Sequence, residues 1–463
     1  MKRILLIVPN SSFLDSDRVF PHIGILHLLS VAENLGLRIQ YINKKYKVVC
    51  DGVFYTDEFD FDDIEYYGMF DLIGISCTTP QAPTAYLIKN KIRELNPDIK
   101  IIIGGPHAEH YAAECGVQGF DLICAGDGEK VFEEILTGKH IFEKNIQYMT
   151  TGNLTTKEMN SYPIPLRQKE YINRYTYMLK DRSATTIVNS RGCPMKCTFC
   201  ENSNTKCRWY STEHFRKQIE SIVALKIKGI MIFDDIFAVS PTRVSPYLEI
   251  LKEYHEKEDL IFRCFGHAKI IATFPELAKK LADSGCVEMG FGAESADQRI
   301  LNTIKKTTSV QDMHTFVETV IKNDINVKAF FMIGLPGENE FSIKRTYNFI
   351  EYYKVKYPDN FDFDLTVFFP YKGTEIGNTM RHNSELVNLR LLPEYTWKDI
   401  DTGNFGAYKK KDGASDIVIE SYDWDSKKVL LSAKDILYWK NNIMKLSNRY
   451  KTDIVYEGSI CHK

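Results

Sequence analysis

At 463 residues the chain is long enough for two or three domains with buried cores. Lysine and arginine number 59 against 61 aspartates and glutamates, so no broad polyanion-binding surface is implied and nothing electrostatic asks for nucleic acid. No stretch approaches the length of a membrane span, and the 11 cysteines, scattered apart from one cluster, suit a reducing cytoplasm better than a disulfide scaffold.

Met1-Lys2-Arg3 followed by the apolar run Ile4 to Val8 has the outline of a signal peptide. The run is too short and lacks a small-residue cleavage site, so it reads as a buried first strand. Short apolar runs then alternate with helical patterns: Ile23 to Glu33 (helix), Leu72 to Ser76, Thr84 to Leu95 (helix), Ile101 to Gly104 and Leu122 to Ala125. This alternation predicts an α/β fold opening on a doubly wound parallel sheet, which binds ligands at the carboxyl ends of its strands. Small polar residues and glycines stand there: Pro9-Asn10-Ser11-Ser12, Ser76-Cys77-Thr78-Thr79, Gly104-Gly105-Pro106-His107 and Gly126-Asp127-Gly128-Glu129.

Together with Pro21-His22-Ile23-Gly24-Ile25-Leu26, these segments resemble the Rossmann-like cobalamin-binding domain that precedes the barrel in many radical S-adenosylmethionine (SAM) proteins. The resemblance spans 1–140 and implies that Thr78, Thr79, Gly104, Gly105, His107 and Gly126 line the corrinoid or its nucleotide tail. D-x-H-x-x-G, the signature of a protein histidine on cobalt, is absent, so the resemblance implies cobalt without one. His22 then precedes a helix and His107 satisfies a loop; a flavodoxin-like fold that has lost its cofactor is the competing reading of the domain.

Over 141–180 the periodicity fades at Gly152, Asn153, Asn160, Pro163 and Pro165, which predicts a linker, with Tyr162 and Tyr171 to Tyr177 packing it onto the next domain. From 181 to 377 six strands recur, each followed by a helix: Thr185 to Ser190, Gly229 to Phe233, Phe262 to Phe265, Val287 to Phe291, Val327 to Ile333 and Asp364 to Phe369. Six such units make a partial (β/α)6 TIM barrel with its chemistry at the carboxyl ends.

After the first barrel strand stands Arg191-Gly192-Cys193-Pro194-Met195-Lys196-Cys197-Thr198-Phe199-Cys200. Three thiolates so close can hold three irons of a 4Fe-4S cubane, which normally takes four, and leave the fourth open. A zinc knuckle completed by Cys207 or His214 is the alternative. The C-x3-C-x2-C loop resembles that of the radical SAM superfamily. That resemblance implies that Cys193, Cys197 and Cys200 bind the cluster, that Phe199 lies against the adenine, and that the reduced cluster cleaves SAM to a 5'-deoxyadenosyl radical.

Later strand ends fit the same family. In Asp234-Asp235, a carboxylate either meets the SAM amino group or caps the next helix, and at the third strand Arg263 or His267 points into the barrel mouth. Gly292-Ala293-Glu294-Ser295, followed by Leu301 and Lys305-Lys306, resembles the family's SAM-contacting segment, which makes Glu294 and Ser295 candidates for its amino group or ribose. Gly334-Leu335-Pro336-Gly337-Glu338 matches the family's turn beside the adenine, implicating Gly334 and Pro336, and Pro370-Tyr371-Lys372-Gly373-Thr374 is also family-like. Cys207 reads as structural, and Arg208, Trp209 and Tyr210 as a seal on the cluster loop.

The small C-terminal extension, 378–463, shows helical periodicity over Val429 to Tyr450, a solvated turn at Lys409-Lys410-Lys411-Asp412, and Trp397, Trp424 and Trp439 to close part of the substrate pocket. A corrinoid domain ahead of a SAM-cleaving barrel suits methyl transfer to an unactivated carbon or phosphorus. Cyclisation or rearrangement with the same cofactors, and a non-catalytic iron-sulfur or corrinoid carrier, are the alternatives. Partners implied are a small-molecule or peptide substrate and an electron donor such as flavodoxin or ferredoxin.

Overall fold

The computed structural model describes residues 3–10, 19–43, 51–140, 142, 147–382, 420–423 and 428–449. Two compact units divide the chain, with the change falling between Tyr175 and Thr176.

The first unit is built on strands β1 (Arg3–Ile7), β2 (Ile39–Tyr41), β3 (Gly52–Thr56), β4 (Leu72–Ser76), β5 (Lys100–Gly104), β6 (Leu122–Gly126) and β7 (Gln147–Gly152), in the order β2-β3-β1-β4-β5-β6-β7. All neighbours are parallel. Continuous apolar runs such as Ile4-Leu5-Leu6-Ile7 and Ile101-Ile102-Ile103 form these strands because a parallel sheet is covered on both faces, and their side chains are buried. The strand order reverses between β1 and β4, so the crevice of such a sheet opens beyond Ile7 and Ser76.

The region expected as a linker is divided between the units, Tyr175 and what precedes it falling in the first and Tyr177 in the second. β7 extends the first sheet, and Tyr171 and Tyr175 pack onto β3 within the same unit: both join a hydroxyl cluster with Tyr55, and Tyr175 Oη–H donates to Asp57 at 2.6 Å. Tyr162 donates to Glu133 at 2.9 Å. Tyrosine lets a loop bury a ring while its hydroxyl finds a partner, so these residues close the first unit.

The second unit holds β8 (Met178–Leu179), β9 (Arg182–Ile187), β10 (Ser190–Arg191), β11 (Arg208–Trp209), β12 (Gly229–Ile232), β13 (Ile261–Gly266), β14 (Cys286–Glu294), β15 (Asn326–Ile333) and β16 (Phe361–Val367). The six long strands β9 and β12 to β16 lie parallel in chain order, with β8 antiparallel at one edge, giving an open partial barrel. In β15, Val327, Ala329, Phe331 and Ile333 are buried while Lys328, Phe330 and Met332 alternate with them, half-buried on the lumen face. The floor of the lumen is charged: Arg263 pairs with Glu288 at 3.2 Å, and Lys328 with Asp362 at 2.8 Å and Asp364 at 2.9 Å.

In the described part of the tail, Trp439 differs from expectation. Its helix Ala433–Arg449 packs beside helix Glu340–Lys356 and against β16, with Trp439 and Tyr347 rings 6.1 Å apart, so it covers the sheet's edge strand and not the mouth. Trp397, Trp424 and the Lys409 to Asp412 turn lie outside the described residues. Among the described residues no helix is long and apolar enough to cross a membrane.

Candidate active site

β9 delivers the chain to the β10–β11 hairpin, which brackets the Cys loop. Inside it, Thr205 N–H donates to the Cys193 carbonyl at 2.9 Å and Cys200 N–H to the Cys197 carbonyl at 3.2 Å. Gly192 takes φ +97°, and a Cβ there would sit 2.6 Å from the Lys206 carbonyl oxygen, so the loop's entry requires glycine.

Two carboxylates hold this loop. Asp234, expected at the SAM amino group or a helix cap, is buried with its oxygens on Asn189 N–H at 2.6 Å and Ser190 Oγ–H at 2.7 Å; it therefore secures the strand exit leading into the loop. Burial pushes its carboxyl up to about 7 against the pull of those hydrogen bonds. Asp235 accepts from Gly192 N–H at 3.1 Å and from Asn202 Nδ2–H at 2.7 Å, joining residues that flank the three cysteines.

Burial pushes the Cys193 thiol up to about 11 and raises Cys197 and Cys200, while the three thiols also act electrostatically on one another as neighbours. Among the described residues no three His, Cys, Asp or Glu side chains converge on the position of a single metal ion. The proposed fourth zinc ligands are engaged elsewhere: Cys207 Sγ–H donates to the Gly192 carbonyl at 3.1 Å, and His214 stacks on Tyr210 at 4.1 Å and meets Gln218 at 3.3 Å. Neighbouring thiols on a glycine-initiated loop fit a cubane, where each thiolate binds a separate iron. Phe199 is half-buried between Cys200 and Thr198; the latter receives Ile376 N–H at 2.9 Å on its carbonyl and donates to the Ile304 carbonyl at 3.1 Å.

The end of β14 lies close by. Its register shifts between Gly292 and Glu294, and Glu294 takes φ +59°. That turn brings Glu294 Oε1 to 2.9 Å from Lys306 Nζ, with both side chains about nine-tenths buried. A Cβ on Gly292 would fall 2.4 Å from Glu294 Oε1 and 2.6 Å from Lys306 Nζ, so glycine there makes the space for the pair. The same turn sends Ser295 the other way: fully buried, it meets Thr346 Oγ1 at 3.4 Å and accepts Asp297 N–H at 3.2 Å. Ser295 is thus a packing residue, a correction to its expected contact with SAM.

The glycine-proline turn after β15 is self-braced. Gly334, at φ +83°, donates N–H to Glu338 Oε2 at 2.6 Å, and Arg299 donates to the Gly337 carbonyl at 2.7 Å. Pro336 is buried within it, and burial pushes the Glu338 carboxyl up to about 8. His267 is buried at the strand end against Thr307 and Thr308, at 3.2 and 3.3 Å, and burial holds its imidazole down at about 4, hence neutral at physiological pH. Arg263 lies lower, in the charged floor.

At the rim of the first sheet, Thr78 closes a capping box with Gln81, whose Nε2–H donates to the Pro9 carbonyl at 2.7 Å across the β1–β4 reversal. Gly105 takes φ +88°, and a Cβ would sit 2.8 Å from the Cys77 carbonyl oxygen; Gly126 ends β6 at φ +103°. Gly104 closes β5 opposite Ser76. Of its two readings His107 takes the structural one: fully buried, its ring meets Tyr86 Oη at 2.6 Å and Thr79 Oγ1 at 3.3 Å and stacks on Tyr111 at 4.8 Å. It is a core residue, which also draws Thr79 inward. Sequence reasoning missed Gln81 as a site residue; it named Asp235 and Lys306 within their segments but gave neither a role of its own.

Comparison with known proteins agrees with this geometry. The Radical SAM superfamily model matches residues 187–350 and the B12 binding domain model residues 15–136. An uncharacterized methyltransferase of Pyrococcus horikoshii is 24% identical over 84% of this chain and 85% of its own length. The anaerobic magnesium-protoporphyrin IX monomethyl ester cyclase of Rubrivivax gelatinosus is 22% identical over 60% of this chain and 53% of its own. In fold, the radical SAM methyltransferase TsrM of Kitasatospora setae superposes with a TM-score of 0.65 at 16% identity, covering 84% of this chain and 77% of that one. The cofactors that the two domains imply are a 4Fe-4S cluster, SAM and cobalamin. The chain is an enzyme that carries a radical SAM domain preceded by a B12 binding domain.

Proposed function

We propose that this enzyme transfers a methyl group from SAM, by way of cobalamin, to an unactivated carbon or phosphorus centre. The observation that carries the reading is the presence in one chain of a B12 binding domain and a radical SAM domain with a three-cysteine loop, in a chain similar over most of its length to a relative named a methyltransferase. When bound, the cluster and SAM supply a carbon-centred radical, and the corrinoid supplies a transferable methyl group.

The chain's own residues hold and orient. Cys193, Cys197 and Cys200 bind the cluster and must give up their thiol protons to do so. Asp234 and Asp235 fix both flanks of their loop. Phe199, Glu294, Gly334 and Pro336 contact SAM. Thr78, Gly104, Gly105 and Gly126 form the corrinoid-facing rim, which Thr79 supports from within. The substrate, a small molecule or peptide, enters the lumen beside Phe233, which is 45% exposed, with Phe265 and Phe330 forming the wall behind it. The cluster, when bound, would need a one-electron donor such as flavodoxin or ferredoxin, and the free thiols and balanced charge suit the cytoplasm.

A second reading, cyclisation or rearrangement without methyl transfer, draws on the cyclase relative. Anaerobic incubation of the cluster-loaded, cobalamin-loaded protein with SAM and a strong reductant separates the two. Methyl transfer predicts S-adenosylhomocysteine together with 5'-deoxyadenosine; 5'-deoxyadenosine alone supports the second reading.

A further inference from the structure

The Cys loop and the segment after β14 are tied at two points that straddle Cys197. Thr198 N–H donates to the Ile304 carbonyl at 3.1 Å, and Thr307 Oγ1–H points to Met195 Sδ at 3.8 Å. Lys306 lies between those ties, its side chain 9% exposed and its Nζ 2.9 Å from Glu294 Oε1. The Gly292 cradle leaves the pair no slack on the strand side.

We propose that Lys306 raises the reduction potential of the cluster held by Cys193, Cys197 and Cys200, and that Asp235 lowers it from the opposite flank. The proposal rests on the assignment of the cluster to those three cysteines. Reduction adds one negative charge to the cluster, and a nearby buried cation stabilises that charge while an anion opposes it, because net charge and burial set such potentials. A site shielded from water lets each charge act more strongly than it would at the surface.

The charges around the loop are unequally placed. Cys197 interacts with both Lys306 and Glu294, the lysine more strongly, and Cys200 also interacts with Lys306. Asp235 acts on Cys193 and Cys200, and Arg243 acts on Cys207. The buried ion pair with Glu294 holds the lysine charge beside the loop.

The test is a potentiometric titration, followed by electron paramagnetic resonance, of reconstituted full-length protein without SAM. Lys306→Gln is expected to lower the midpoint potential by roughly 59 mV, a tenfold change for a one-electron couple. Asp235→Asn raises it, and Lys306→Arg leaves it near the wild-type value. Because Lys306→Gln strands a buried carboxylate, the double variant Glu294→Gln/Lys306→Gln is measured beside it and also shifts down. A purely structural role for these residues would not give opposite signs. Unchanged potentials in both Lys306→Gln and the double variant, or a downward shift in Asp235→Asn, overturn the proposal. Wild-type protein that takes up no cluster overturns the cysteine assignment itself, and the proposal with it.

Discussion

The rim of the first sheet and the Cys loop of the barrel both stand at strand ends, yet polar side chains do different work in them. At the rim, Thr78, Gln81, Tyr86 and His107 bond one another or nearby backbone, and positive-φ glycines such as Gly105 and Gly126 shape the surface that a ligand approaches. Around the Cys loop, Asp235, Glu294 and Lys306 bring charge to within reach of the thiols. A large cofactor is accommodated by shape and backbone, whereas a small, highly charged one needs counter-charges fixed in place.

The largest expected effect is at the ligands. Cys197→Ala removes one corner of the cluster, so iron content and the cluster's visible absorbance after reconstitution should fall to background while cobalamin still binds. Retention of a full cluster would break the contrast at its charged end.

Next comes the support of the loop. Asp235→Ala removes the acceptor that joins Gly192 to Asn202 and should weaken cluster retention about 10- to 100-fold, the usual cost of losing such a partner. Competition with an iron chelator measures it; wild-type retention would mean that the cysteines alone hold the loop.

His107→Ala sharpens the other end. Losing the bond to Tyr86 and the stack on Tyr111 should cost roughly 2 kcal/mol of stability, within the range of buried polar deletions. Cobalamin affinity, measured by equilibrium dialysis well below the melting temperature, should stay unchanged. A lost affinity at unchanged stability would return His107 to the corrinoid.

The smallest effect concerns pH. Burial holds the Glu338 carboxyl at about 8, against 4.5 for the ordinary group. The folded chain keeps a proton that the unfolded chain releases, so this group's contribution to stability falls as pH rises from 4.5 to about 8. Asp234 acts with the same sign between 3.8 and about 7. Glu338→Gln, which keeps an oxygen for Gly334 N–H, should flatten the decline in melting temperature over that range; an unaltered pH profile would contradict a protonated Glu338.

How much was legible in the sequence depends on how local each signal is. The Cys loop and the turn at Gly334 to Glu338 are continuous segments, and the six barrel strands are long apolar runs. β2, with three half-buried residues, has too weak a pattern to stand out, and β7 is polar and runs straight into Gly152 and Asn153. Ser295 was misplaced because the positive φ of Glu294 breaks the alternation that would have put it at the mouth. Lys306 depends on a bond between Thr198 and Ile304, which no local spacing reveals. His107 stands after a glycine pair at a strand end, but the hydroxyls of Tyr86 and Thr79 draw its ring inward.

The most direct test of the account is the yield of 5'-deoxyadenosine from SAM, measured anaerobically with reductant on cobalamin-loaded wild type and Cys193→Ala. The account predicts product from the wild type and none from the variant, with cobalamin bound equally by both. Product persisting in Cys193→Ala would contradict it.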